Sequence, residues 1–168
     1  MSRPFYDEHM SDAWTIEENQ QLVHQAYCYA LQYSQPDEIP IGALIADKNH
    51  HVIGYGVNTR EATTDPLAHA EVCALQQAAR TLGTWNLSSC TLAVTLEPCP
   101  MCAGAAVMAH IGRIIFGAWD DKMGACGSVW DIPRDPHVGA FPEIIGGINE
   151  KECLALLTRF FYQQRSNN

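Results

Sequence analysis

The chain has 168 residues, 47% of them apolar and 17% charged, with a formal net charge of −9. That length builds one sizeable core but not a second full domain, and the composition is that of a globular rather than a disordered protein. The acidic balance argues against a strongly basic nucleic-acid binder, and no apolar run approaches the ~20 residues of a membrane-spanning helix.

Residues 1–12 are polar and expected to be loosely ordered, leaving residues 13–168 as a single domain. The opening MSRPFYDEHM lacks the apolar stretch of a secretory signal, so a cytoplasmic location is expected. Seven acids fall in residues 1–40 against Arg3 alone, so much of the negative excess sits in this leading part. Thr15-Ile16-Glu17-Glu18 fits a capping box with Thr15 as N-cap. Behind it Ile16, Leu22, Val23, Ala26, Tyr27, Ala30 and Leu31 recur near helical spacing, which predicts a first helix to about Tyr33.

Residues 34–40 form a turn rich in Pro and acids. Residues 41–46 and 52–57 are short apolar runs, and Asp47-Lys48-Asn49-His50 between them suits a hairpin. Residues 58–67 are a polar loop. Residues 69–82 are apolar with helical period, and Gly83 supplies the stop. A buried strand is expected over 91–96, a helix rich in small residues over 98–110, and another strand over 113–116. The Pro- and Gly-containing stretch 119–142 is long enough to be a functional loop. A last strand over 143–145 precedes an amphipathic helix over 150–164, with Cys153, Leu154, Leu157, Phe160 and Phe161 on one side. Strands and helices alternate through the centre, which predicts a layered α/β domain.

Seven cysteines at irregular spacing make a poor disulfide framework and point to reduced or metal-bound thiols. Cys28, Cys73, Cys90, Cys126 and Cys153 read as packing residues. The chemistry lies in His69-Ala70-Glu71 and in Glu97-Pro98-Cys99-Pro100-Met101-Cys102. One imidazole and two thiolates suit zinc, and three protein ligands leave a fourth position for water, the catalytic arrangement. A structural site would need a fourth ligand, and none lies at a natural spacing. Both pieces sit where a helix begins, and the N-terminal helix field favours thiolate at Cys99, less so at Cys102. Glu71, two residues beyond His69, projects near the metal without binding it and can take a proton from water and later deliver protons to a ring nitrogen and a leaving amine. Taken singly, Cys-x-x-Cys reads equally as a redox pair and His-x-Glu as chance helix surface. In this order and separation they predict hydrolytic attack on an amidine-like carbon with loss of ammonia.

At these residues the chain resembles the cytidine-deaminase-like superfamily of zinc deaminases, whose signature is His-x-Glu followed by Pro-Cys-x-x-Cys. Within it the chain is more similar to the bacterial tRNA-specific adenosine deaminase family. The matching stretches are Asp65-Pro66-Leu67-Ala68-His69-Ala70-Glu71, Thr95-Leu96-Glu97-Pro98-Cys99-Pro100-Met101-Cys102-Ala103-Gly104-Ala105 and Phe116-Gly117-Ala118-Trp119-Asp120-Asp121-Lys122-Met123-Gly124-Ala125-Cys126-Gly127-Ser128. The resemblance runs from about Ile39 to Arg165. It implies a three-layer α/β/α fold around a mixed five-stranded sheet, one Zn2+ per subunit and a homodimer. It also implies conversion of the wobble adenosine of a tRNA anticodon stem-loop to inosine.

Carried over by position, His69, Cys99 and Cys102 are the zinc ligands and Glu71 the proton shuttle. Asn58 matches the asparagine that contacts the flipped nucleoside, although a turn residue after a strand is the plainer reading. Asp120 and Lys122 fall in the loop near bound RNA. Phe160, Phe161 and Arg165 fall on the terminal helix that shapes the pocket; packing for the two rings, and a solvated end for Arg165, are the plainer readings. Trp119 reads equally as a stacking platform and as a packed indole. Two stretches depart from the family: the chain ends at Arg165-Ser166-Asn167-Asn168 where a basic tail is common, and Asp135-Pro136-His137-Val138-Gly139-Ala140-Phe141 replaces a more basic run. Both departures remove phosphate contacts.

Two other readings stand beside tRNA adenosine deamination. A deaminase of a free nucleobase or nucleoside, of guanine, cytosine or adenine type, suits the acidic balance. A non-catalytic RNA-binding zinc module would have no use for the carboxylate of Glu71.

Overall fold

The computed structural model describes residues 14–138 and 141–166. The expected loose segment, residues 1–12, lies outside the described residues.

Helix α1 (Ile16–Tyr33) opens on the capping box: Glu18 N–H donates to Thr15 Oγ1 at 3.1 Å, and Thr15 N–H donates to the Glu18 carboxylate at 2.7 Å. Its inward stripe is Asn19, Leu22, Val23, Ala26 and Ala30. Strands β1 (Gly42–Ala46) and β2 (Val52–Val57) form the hairpin, whose turn is tied by Asp47 Oδ1 accepting the N–H groups of Asn49 and His51 at 2.8 and 2.9 Å. There follow α2 (Arg60–Thr63), α3 (Ala70–Leu82), β3 (Thr91–Leu96), α4 (Pro100–Met108) and β4 (Arg113–Ala118). A 3-10 turn (Ile132–Arg134), β5 (Glu143–Ile145) and α5 (Glu150–Ser166) complete the order.

The five strands form one mixed sheet in the order β2-β1-β3-β4-β5, with β1 antiparallel to β2 and β3, and β3, β4 and β5 mutually parallel. Side-chain alternation splits the core in two. Ala43, Ile45, Leu92, Val94, Ile114 and Phe116 face α3 and α4 through Ala70, Ala74, Ala78, Ala103 and Ala106. Leu44, Ala46, Ala93 and Ile115 face the opposite way, onto Leu22, Val23 and Ala26 of α1 and Cys153 of α5. This is the expected three-layer α/β/α fold.

Glycine sets how closely α3 lies on the hairpin. A Cβ at Gly54 would come 2.4 Å from the carbonyl oxygen of Ala74, and one at Gly56 would come 1.9 Å from that of Ala70. The first turn of α3 is therefore fixed against the end of β2.

The structure corrects several expectations. The 58–67 loop contains the short helix α2, because Glu38, itself buried, accepts the N–H groups of Glu61 and Ala62 at 2.8 and 3.1 Å. The helix expected over 98–110 is shorter, since Pro98 and Cys99 precede its first turn and His110 turns into positive φ. Strand β4 runs on to Ala118, paired with Leu96. On α5 the inward residues are Cys153, Leu156, Leu157 and Phe160, while Leu154 and Phe161 are exposed. The spacing 153, 156, 157, 160 follows the helical period more closely than the expected set. Finally, Cys28 is exposed and Cys73 half-buried, so only Cys90, Cys126 and Cys153 of the five are buried packing residues.

Candidate metal centre and active site

Two helix beginnings converge at the end of the sheet where β2 and β3 finish. His69 is the N-cap of α3 and Cys99 the N-cap of α4, with Pro100 entering the first turn. Neither side chain makes a capping hydrogen bond. Both turn instead toward one another, and Cys102, one turn into α4, completes the group. His69 Nδ1 lies 3.6 Å from Cys99 Sγ and 3.5 Å from Cys102 Sγ. All three ligand atoms fall within 4.8 Å of one another. A tetrahedral zinc with Zn–N of about 2.0–2.1 Å and Zn–S of about 2.3 Å sets nitrogen and sulfur about 3.6 Å apart. The donor set therefore fits zinc both in chemistry and in spacing.

The protons at this site are arranged by hydrogen bonding and burial. The Cys102 thiol donates to Cys99, and with the neighbouring His69 this lowers the Cys99 thiol to about 4. Cys102 is pushed in the opposite direction by the same bond and by burial. His69 is raised, chiefly through its bond to Cys99. One thiol is thus held well below its ordinary range, and both cysteines bind a metal as thiolates.

Glu71, in the first turn of α3, is 3% exposed, and its Oε2 is a buried atom without a hydrogen-bond partner. Burial pushes its carboxyl up to about 7. An unpartnered buried carboxylate oxygen beside a metal-ligand triad is costly to stability and suited to proton transfer near neutral pH.

Asn58 is buried, and its Oδ1 accepts the N–H of Ala70 at 2.9 Å. It ties the end of β2 to the helix start that carries His69 and Glu71. Asp120 shapes a turn, since its Oδ1 accepts the N–H groups of Lys122 and Met123 at 2.9 and 3.2 Å, and Lys122 is exposed. Trp119 packs edge-on against Phe116 with centroids 4.8 Å apart. Phe160 and Phe161 make an edge-to-face pair at 5.3 Å on α5, and Arg165 is exposed in its last turn. Gln164 donates to the carbonyl of Pro36 at 3.3 Å, which brings the end of α5 beside the 34–41 loop where β1 begins. His137 is exposed and hydrogen-bonded to Asp135 at 2.8 Å.

One residue not singled out from the sequence organises the whole rim. Glu97 is 2% exposed and accepts three backbone N–H groups of the 119–128 loop: Asp120 at 3.1 Å on Oε2, and Cys126 at 2.9 Å and Ser128 at 3.1 Å on Oε1. Ala125 N–H adds a bond to the Pro98 carbonyl at 2.8 Å. The loop is bound to the two residues immediately before Cys99. Its tight wrap needs glycine at 124, where a Cβ would lie 2.2 Å from Glu97 Oε2. The sequence signal was an acid directly after the apolar run of β3.

Residues 16–118 match the cytidine and deoxycytidylate deaminase zinc-binding region. A tRNA-specific adenosine deaminase of Bacillus subtilis is 36% identical over 150 residues, covering 89% of this chain and 92% of that protein. A tRNA(Ile)-lysidine synthase of Deinococcus radiodurans is 44% identical over 141 residues, 84% of this chain, but the chain spans only 24% of that protein's length. A solved structure from work on A-to-I editing by tRNA:A34 deaminases at the wobble position superposes with a TM-score of 0.77 at 34% identity, covering 82% of this chain and 99% of that one. With a zinc-compatible His-Cys-Cys set and a buried glutamate inside the matched region, the chain belongs to the zinc-binding cytidine and deoxycytidylate deaminase family.

Proposed function

We propose that this chain hydrolyses the wobble adenosine of a tRNA anticodon loop to inosine, releasing ammonia. The chemistry is carried by one observation, the buried and unpartnered Glu71 Oε2 beside His69, Cys99 and Cys102. The substrate class is supported by the likeness to tRNA-specific adenosine deaminases over nearly their full length. Zinc held by these three ligands supplies, when bound, a water acidified to a pKa of about 7. Glu71 accepts one proton from the attacking water and gives it to the ring nitrogen, then takes the second from the oxygen newly bonded to C6 and gives it to the departing amine. Burial raises its carboxyl to about 7, which suits a group that both takes and gives protons.

The substrate contacts follow from what each side chain has left to offer. Asn58 spends its oxygen on Ala70, so its amide nitrogen remains to donate to the nucleoside. Lys122 and Arg165, both exposed, supply cations for phosphates. Asp120 acts through the turn that presents Lys122. Phe160, half-buried, and Phe161, exposed, would offer the substrate apolar ring surface from α5. The homodimer belongs to the same proposal, and Met108 of α4, Val129 and Trp130 are exposed apolar side chains available to it. So does a cytoplasmic location, where tRNA is modified; among the described residues no helix is long and apolar enough to cross a membrane.

The test is incubation of zinc-loaded protein with an anticodon stem-loop bearing adenosine at the wobble position. Inosine at that position is the expected product. Equal or faster turnover of free adenine, guanine or cytosine would replace this reading by a free-base deaminase, and zinc-dependent RNA binding without turnover would replace it by a binding module.

A further inference from the structure

On the far side of the sheet from α3 and α4, the exposed thiol of Cys28 does not stand alone. His24 and Cys28 are one turn apart on α1, and their side chains meet with Sγ 3.5 Å from Nε2. The other ring nitrogen of His24 faces Glu152 of α5, with Nδ1 at 3.0 Å from Oε1 and 3.1 Å from Oε2. A carboxylate on Nδ1 fixes the tautomer that carries its proton there, which leaves Nε2 free to accept a proton from the thiol. Nucleophile, base and orienting acid are thus in line, drawn from positions 128 residues apart. Beside them, though not lined by Cys28 itself, lies a shallow groove of about 770 Å³ whose charged and imidazole side chains are His24, Glu150, Lys151 and Glu152. The other six thiols are buried or half-buried.

We infer that Cys28 is a base-assisted modification site that forms a mixed disulfide with a small peptide disulfide of the oxidised glutathione class. Cys28 Sγ bonds to one sulfur of that disulfide as its S–S bond breaks. The thiol proton passes to His24 Nε2 and then to the departing thiolate. One disulfide is consumed and one is formed, Cys28 is oxidised and the leaving sulfur reduced. In the groove Lys151 offers a cation to a carboxylate of the peptide and Glu150 an anion to its amino group. The site stands apart from the zinc centre and does not depend on the proposed substrate.

Zinc-loaded protein is mixed with oxidised glutathione at about pH 7, and the modified residue and its rate are followed by mass spectrometry. Modification is expected at Cys28 first, and to be absent from Cys28→Ser. In His24→Ala the rate should fall about tenfold, less than the ceiling for a positioned base because a thiol also reacts unassisted once ionised. Glu152→Gln retains the packing and removes only the orienting charge, and should slow the reaction too. Equal rates in wild type and in both variants overturn the inference, as does earlier modification of any other cysteine.

Discussion

Glu97→Gln tests how the rim of the active site is held. Glu97 accepts three backbone N–H groups of the 119–128 loop with two oxygens. Glutamine has one acceptor oxygen. If that oxygen keeps Cys126 and Ser128, the side-chain NH2 faces the N–H of Asp120, donor against donor. Leaving that N–H unpaired costs about 1–3 kcal/mol, and loss of charge assistance weakens the two retained bonds by about 1 kcal/mol each. A loss of about 3 kcal/mol allows for relaxation of the loop. For a chain of this size it lowers Tm by about 6–12 °C. Circular dichroism melts of the zinc-loaded protein read this directly. Zinc content should stay intact, because the three ligands are untouched, while kcat/KM on the stem-loop falls as Asp120 and Lys122 shift. A Tm within about 2 °C of wild type would refute the reasoning, since it would mean that the loop is held by its other contacts.

Glu71→Gln should lower turnover by about 10²- to 10⁴-fold with zinc content unchanged, measured by steady-state kinetics and metal analysis; retained activity would end its role as proton carrier. Cys102→Ser should release zinc on dialysis, and a full metal complement would remove Cys102 from the ligand set. Gly56→Ala places a methyl group against the carbonyl of Ala70, next to His69, and should cost about 1–3 kcal/mol in denaturant unfolding together with weaker zinc retention. A pH titration reads the capping box. The Thr15 N–H holds the Glu18 carboxyl below its ordinary value, so the bond's contribution is present above the usual carboxyl range and is lost as pH falls through the lowered pKa. The Thr15 amide NMR signal should move over that acid range, and a signal that stays fixed there would show that the bond does not form in solution.

What could be read from the sequence was whatever a local rule dictates. The capping box at Thr15, the hairpin at Asp47 and the stop at Gly83 are set by residues within one turn of one another, and all three stand as expected. The metal triad was legible for a related reason. Two of its ligands are the residues at which α3 and α4 begin and the third lies one turn in, so spacing fixes Cys99 beside Cys102, while the packing of α3 against α4 brings in His69. The misses are long-range. Nothing near Glu38 announces that it caps a helix more than twenty residues later, and the acid after β3 marks Glu97 without announcing which loop it gathers. Cys28 reads as packing because free cysteines are commonly buried, yet it is exposed and meets His24, whose other ring nitrogen faces Glu152 of α5. Asn58 shows the same limit: resemblance gave it to the nucleoside, while the fold has already engaged its oxygen in holding the first turn of α3. A buried side chain with two polar atoms can do both, one for the scaffold and one for the substrate. Asn58→Asp keeps the acceptor for Ala70 but removes the donor, so it should leave zinc in place while raising KM. An unchanged KM would show that Asn58 serves the scaffold alone.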